Sequence, residues 1–242
     1  MNKIDHILIN VKNLEKAIAE FQELGFCVHK GNNKKNCHHA MIYFKDGSFL
    51  ELIDQNKFPS IFKFLAKKGI LNCFGILFRR FTHYSLSKEQ FLDFAIFTEN
   101  IDALYRTSNN KSVSKLMCMK RKNHLNNLIQ WKLFAFRDLN LPFVISEYTP
   151  TRLPQKNADQ HNNEVLGISQ IDIDSLNPEI YCKNFDTHFN TKSLHNKIQI
   201  GNTIIKVTPS KKHQIAAIKL YSNRIDDKII KDLEPYNITL VN

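Results

Sequence analysis

The sequence lacks the features that would assign it to several large protein classes. No stretch of its 242 residues approaches the roughly 20 apolar residues of a membrane-spanning helix, and its first residues give a strand pattern and no signal peptide. Only seven glycines are present, and the GxSxG, GxxxxGK[ST], GxGxxG and HExxH motifs are absent. We therefore expect a cytoplasmic protein that has no membrane partner and uses none of these motifs.

Cysteine pairs and clustered positive charge are also missing. The five cysteines are scattered and include no CxxC, which is typical of reduced thiols and argues against a disulfide framework or a zinc site. The net charge is +11, but the basic residues form short, dispersed groups without a nucleic-acid-binding motif. We interpret them as solvated surface and expect no nucleic-acid partner, and an anionic small substrate remains an intermediate alternative.

What the sequence does contain begins with a β-α-β-β-β unit. Alternating apolar residues from Ile4 to Val11 predict a strand that points His6 to a definite face. Asn13 is a candidate N-cap for an amphipathic helix, and Gly25 can end that helix. Three short strands are predicted next, the last of which carries Glu51 in FLELI: Phe26–Lys30, His39–Phe44 and Ser48–Ile53.

This unit recurs along the chain. Strands over Phe91–Thr98 and Val165–Asp174 are each followed by a candidate asparagine cap. His6, Asp93 and Gln170 precede their caps by the same interval, so we expect them at one structural position. All three side chains can bind a divalent metal. The alternative is that a polar residue there faces water or hydrogen-bonds a neighbouring strand.

The unit, with His in DHILIN and Glu in FLELI, resembles the vicinal oxygen chelate superfamily and its glyoxalase-like branch. The resemblance implies an α+β fold in which repeated βαβββ units form cupped mixed sheets of the glyoxalase and bleomycin-resistance type. It also implies a divalent metal (Zn, Ni, Mn or Fe) inside the cup, bound by His6, Glu51, Asp93 and a residue near the end of LPFVISEY. Direct alignment puts Ser146 at that fourth position, and a bulge would be needed to turn Glu147 inward as the ligand.

The resemblance also suggests catalytic side chains. The stretch CHHAMIYF is similar to a family stretch that often reads THNAL, so His38 matches its histidine and His39 replaces its asparagine. Adjacent strand residues point to opposite faces, so both enter one pocket only if a bulge intervenes. Glu51 and His38 are the implied catalytic residues, because either can transfer a proton. Trp131, the only tryptophan, is expected to pack in the core.

The predicted organisation places a glyoxalase-like domain of two units in residues 1–150 and a linker rich in Pro, Asn and Gln in 151–163. Residues 164–242 read as a degenerate, truncated pair of units that is structural or forms a homodimer. The favoured function is a metal-dependent isomerase, lyase or dioxygenase acting on a small oxygenated molecule. The alternative is a metal-free protein that binds a small molecule for resistance or sequestration, so whether the chain is an enzyme stays open.

Overall fold

The computed structural model describes residues 1–32, 36–109, 111–122, 127–150 and 157–242. Within these ranges the fold is mixed α+β, as predicted, with 13 strands in two mixed sheets and six α-helices. Three short 3-10 helices accompany them, at Gln55–Lys57, Ile70–Phe74 and Glu234–Tyr236. In the described part of the chain, no helix has the length and apolar character needed to cross a membrane.

The first sheet has eight strands and contains the cup. Its elements in chain order are β1 (Asn2–Asn10), α1 (Leu14–Glu23), β2 (His29–Lys30), β3 (His39–Tyr43), β4 (Phe49–Ile53), α2 (Ser60–Lys67), α3 (Ile76–Leu86), β5 (Phe91–Thr98), α4 (Ile101–Thr107), β6 (Met117–Lys122), β7 (Leu128–Ala135) and β8 (Phe143–Ile145). The strand order is β2-β3-β4-β1-β5-β8-β7-β6. The first and last strands of each unit pair in parallel, and β1 and β5 join the two units in antiparallel fashion.

The second sheet repeats this arrangement with fewer strands. It is built from β9 (Val165–Ser175), α5 (Pro178–Phe189), β10 (Lys197–Ile200), β11 (Thr203–Pro209), β12 (Gln214–Ser222), α6 (Asp227–Leu233) and β13 (Ile238–Val241). Its order, β10-β11-β9-β12-β13, and its parallel and antiparallel pairings match those of β3-β4-β1-β5-β8. Within the described ranges, β2, β6 and β7 have no counterparts in this sheet, which is the expected degeneration of the second half.

The predicted caps begin the main helix of each unit. The side chain of Asn13 accepts a hydrogen bond from Lys16 N at 3.1 Å, and the side chain of Asn100 accepts one from Ala103 N at 3.0 Å. Asn177 caps α5 in the same way. Each cap satisfies an otherwise unpaired N–H in the first turn, so the strand ends and the helix starts at a fixed point.

One apolar core extends across both sheets. It includes Ile7 and Phe21 from the first half of the chain together with Phe185 and Ile218 from the second. Residues 151–156 of the predicted linker lie outside the described residues. Residues 157–163 pack against the first half, where Ala158 is fully buried. This part of the predicted linker is therefore a docked segment, since its side chains contact the first sheet.

Some predicted elements differ from those observed. The predicted strand Phe26–Lys30 is reduced to its last two residues, and within LPFVISEY only Phe143–Ile145 forms a strand. The stretch from Ile70 to Tyr84, for which the sequence predicts no element, forms a 3-10 helix and most of α3. In α3, Leu77, Phe81 and Tyr84 recur at helical spacing and face the sheet cavity described next.

Candidate functional site

A cavity of about 240 Å³ lies between the concave face of the first sheet and helix α3. Aromatic side chains form much of its wall: Phe49, Phe58, Phe81, Tyr84, Trp131, Phe143 and Tyr148. The polar side chains that reach it are His6, His38, Glu51, Arg80 and Arg121. This combination of an apolar wall with a few convergent polar groups is typical of small-molecule sites. The volume lies just below the usual lower limit of about 300 Å³, so the cavity suits a compact ligand.

His6 is held in a defined orientation at the base of this cavity. A register shift in β1 between Ile4 and His6 accompanies the approach of Asp5, whose Oδ2 lies 2.7 Å from His6 Nδ1. The imidazole is 4% exposed and stacks on Phe49 with 4.4 Å between ring centroids. Because Nδ1 donates to the carboxylate, Nε2 is the nitrogen left free to interact within the cavity.

Glu51 reaches the same place from the neighbouring strand. The parallel register of β1 and β4 pairs His6 with Phe49 and Leu8 with Glu51, so both polar side chains emerge on one face. Glu51 Oε2 lies 3.7 Å from His6 Nε2. The structure thus brings together the two candidate ligands of the first unit.

Asp93 is placed differently from the other candidate ligands. It lies opposite Leu8, while the β5 residue opposite His6 is Ala95. The carboxylate of Asp93 forms an ion pair with Arg80 and accepts a hydrogen bond from the Tyr84 hydroxyl. Its second oxygen accepts from Phe94 N at 2.8 Å. Both oxygens of Asp93 are therefore occupied by groups of the protein itself.

The two partners of Asp93 stay protonated, so Arg80 remains a cation and the hydroxyl of Tyr84 remains a donor. Burial opposes the charge of Arg80, but Asp93 raises the pKa of Arg80 above its usual value. Burial, together with Asp93, raises the pKa of Tyr84 well above its usual range, so its hydroxyl stays a donor. Arg80 also donates to the Leu141 carbonyl at 2.8 Å, which fixes α3 against the chain before β8.

Neither candidate for the fourth ligand lines the cavity. Glu147 follows the end of β8 and is exposed. The Ser146 hydroxyl accepts from Lys132 N at 2.8 Å and is used in the sheet edge. Gln170, predicted to be equivalent to His6, lies in β9 of the other sheet and donates to Asp172 at 2.6 Å.

These positions allow a test of the implied metal. In the ranges described above, no group of three or more His, Cys, Asp or Glu side chains is arranged to hold an ion. His6 and Glu51 supply two donors, whereas protein sites for zinc and similar ions use three or four. Arg80 already places a positive charge on Asp93. The side chains present therefore do not fit the four-ligand site that the resemblance implies.

Of the two histidines of CHHAMIYF, His38 lines the cavity, and His39 contacts the cavity residue Arg121. Because His38 lies just before β3, strand alternation does not turn it away. Burial lowers the pKa of His38, an effect that Glu51 partly opposes. Burial lowers the pKa of His39 to about 4, so this ring is neutral at physiological pH. Its Nε2 lies 3.1 Å from Arg121 Nη1 and accepts that hydrogen bond.

Sequence reasoning missed Arg121 and misjudged Trp131. Arg121 comes from β6, and its guanidinium lies over the Trp131 ring at 5.7 Å from the centroid. Trp131 is half-buried and lines the cavity, where core packing was expected. The signal was present, since alternation along β6 puts Met119 and Arg121 on one face and Lys120 on the other.

The comparisons with known proteins agree with this architecture. The sequence profile of the family described as "Glyoxalase-like domain" matches residues 4–187. A comparison with curated proteins gives no match. A hypothetical protein from Staphylococcus aureus has a similar structure, with a TM-score of 0.73, 14% identity, and coverage of 93% of this chain and 92% of that one.

Two solved structures whose printed names state an activity are also similar. The Mn(II)-bound glyoxalase from Novosphingobium aromaticivorans has a TM-score of 0.57 at 11% identity, covering 96% of this chain and 70% of that one. The 2,2',3-trihydroxybiphenyl 1,2-dioxygenase from Sphingomonas wittichii strain RW1 has a TM-score of 0.52 at 8% identity, covering 98% and 79%. At these identities the likeness shows the fold alone.

Proposed function

Because the chain belongs to the glyoxalase-like domain family, we propose that it binds a small oxygenated molecule in the cup of its first sheet, without a metal ion. The observation that carries this proposal is the cavity of about 240 Å³, which combines an aromatic wall with His6 and Glu51. Such a space suits a compact molecule with an apolar ring and a few polar substituents.

The Asp93 cluster supports binding without a metal. In the cup, the position from which a third ligand is implied is taken by a carboxylate that Arg80 and Tyr84 already satisfy. A buried carboxylate needs a positive or hydrogen-bonding partner, and here both come from α3. Arg80 thus supplies the positive charge that a metal ion would supply to Asp93 in the implied site.

His6 and Glu51 have a clear part in such binding. His6 donates through Nδ1 to Asp5, so Nε2 is the ring nitrogen that faces the cavity. Glu51 lies beside it and presents carboxylate oxygens. A hydroxyl group can both donate to a carboxylate and pair with a ring nitrogen, so the two groups together favour a ligand that carries hydroxyl groups.

The test is a screen of hydroxylated ring compounds by thermal unfolding, followed by calorimetric titration of the compounds that raise the midpoint. A ligand at 100 times its Kd should add about 2.7 kcal/mol to the unfolding free energy. We expect His6→Ala to weaken binding, while His195→Ala, which removes an exposed histidine of the second half, should leave it unchanged. Equal binding by wild type and His6→Ala would refute the proposal.

A metal-dependent enzyme, acting as an isomerase, lyase or dioxygenase on a small oxygenated molecule, is the second candidate. The 3.7 Å separation of His6 Nε2 and Glu51 Oε2 favours it, and so does the bond from Nδ1 to Asp5, because metal-binding histidines usually donate their other N–H to such a partner. In this candidate Glu51 or His38 would move the substrate proton.

Elemental analysis of untagged protein distinguishes the two candidates, together with thermal unfolding in Zn, Ni, Mn and Fe(II). Stoichiometric metal that is lost in both His6→Ala and Glu51→Ala, with the fold retained, would establish the enzyme candidate. A midpoint that no metal shifts, combined with saturable ligand binding, would establish the binding protein.

A further inference from the structure

Two arginines on the cavity wall each keep an unused donor. Arg80 is 3% exposed, and its Nε is buried without a hydrogen-bond partner among the described residues. The Nε of Arg121 is buried and unpartnered in the same sense. Buried N–H groups are nearly always paired in folded proteins, because an unpaired one loses its water without replacement. Both Nε atoms are closed off from water, so Arg80 and Arg121 line the cavity through other atoms of their side chains.

The charges of the two arginines are balanced differently. Asp93 compensates Arg80. Arg121 contacts the neutral His39 and the Trp131 ring, and it forms no salt bridge within the described part of the chain. Glu51, the carboxylate of the cavity wall, lies against His6 instead. Arg121 is therefore a cation of the cavity wall that makes no salt bridge, although Glu51 lines the same cavity.

The rest of the wall fits a flat ring. Phe49 and Phe143 flank His6, and the Trp131 and Tyr148 rings lie 5.3 Å apart by their centroids. Aromatic faces bind other flat rings by offset stacking. The volume of about 240 Å³ limits the ligand to about one ring with a short substituent.

We infer that the ligand is an aromatic acid, a single ring bearing a carboxylate or a comparable anionic group, and that the guanidinium group of Arg121 binds the anion. This inference rests on the proposed ligand-binding function. Guanidinium groups suit the task, because their planar donors match carboxylate geometry and stay charged.

The experiment compares matched acids and amides. Benzoate and phenylacetate are titrated against benzamide and phenylacetamide by calorimetry, with wild type, Arg121→Gln and Arg121→Lys. Lys120→Gln is the matched control, because it removes the same charge from the adjacent, exposed position of β6. We expect the acids to bind at least about tenfold tighter than the amides, and Arg121→Gln to remove that advantage. Arg121→Lys should keep part of it, and Lys120→Gln should change nothing.

The outcomes separate this inference from the proposal beneath it. Equal binding of acids and amides by wild type would overturn the inference and leave the ligand-binding function standing. Binding of none of the four compounds would overturn the inference, whereas the hydroxylated-compound screen decides the function independently. If Arg121→Gln does not fold, the salt dependence of ligand binding by the wild-type protein is the test instead. The affinity for the acids must then fall with added NaCl while that for the amides stays constant, and a shared response would overturn the inference.

Discussion

Because of His161, the free energy of unfolding of this protein should decrease as the pH falls, within a defined pH window. Its Nδ1 accepts a hydrogen bond from Cys27 N at 2.9 Å, and its Nε2 lies 2.8 Å from the Tyr43 carbonyl, to which it donates. Both ring nitrogens are thus used by the neutral form. A second ring proton on Nδ1 would face the Cys27 N–H. Burial, opposed in part by the Tyr43 bond, lowers the pKa of His161 to about 4.

The magnitude follows from linkage. The unfolded chain binds the proton near pH 6.5, whereas the folded protein binds it only near pH 4, a difference of about 2.5 units, or about 3 kcal/mol. The stabilisation is complete above pH 6.5, declines as the pH falls from 6.5 to 4, and stays constant below that. His39 has its pKa lowered to about 4 as well and adds a similar decline.

Urea unfolding of wild type and His161→Asn at pH 7.5, 6.0, 5.0 and 4.5 isolates the contribution of this ring. His161→Asn should be less stable at pH 7.5 but should lose less stability on acidification, because one of the two histidines whose pKa is lowered to about 4 is gone. His195→Asn, at an exposed position, should keep the wild-type slope. An unchanged slope in His161→Asn would refute the reasoning.

Three further predictions concern stability. Arg80→Ala leaves Asp93 buried without its cation and should cost about 3–5 kcal/mol in urea unfolding; a loss below about 1 kcal/mol would contradict the buried ion pair. Gly25→Ala should lower the unfolding free energy by about 1–2 kcal/mol, because the φ of Gly25 is +85° and an added Cβ would lie 3.0 Å from a backbone nitrogen; an unchanged midpoint would show that the turn can adapt. Truncation after Pro150 should expose the shared core and cause aggregation, whereas a soluble fragment that unfolds cooperatively would show independent domains.

Local signals in the sequence were sufficient for most of the fold. Asparagine caps and apolar periodicity depend on neighbours within a few residues, so the starts of α1, α4 and α5 are predictable from the chain alone. The meeting of His6 and Glu51 was predictable as well. It depends only on strand alternation and on the pairing of the first and last strands of a unit.

The rest of the site depends on long-range packing. Asp93 has the spacing of a ligand, but that spacing does not show that α3 turns Arg80 onto it. Similarly, the exposure of Glu147 follows from the end of β8 after Ile145, and strand ends are poorly determined by sequence. Arg121 looked like surface charge because it stands between two lysines. Only the alternation of β6, combined with the curl of the sheet, turns it inward.

The ion pair between Asp93 and Arg80 has a consequence for the cell as well as for the molecule. The counterion of this buried carboxylate is an arginine of the same chain, so it is present as soon as the chain has been synthesised. Under the proposed metal-free function, the cup assembles in a cell starved of trace elements, and the amount of folded protein does not depend on the metal supply. A chelator in the growth medium should leave the amount of folded protein unchanged.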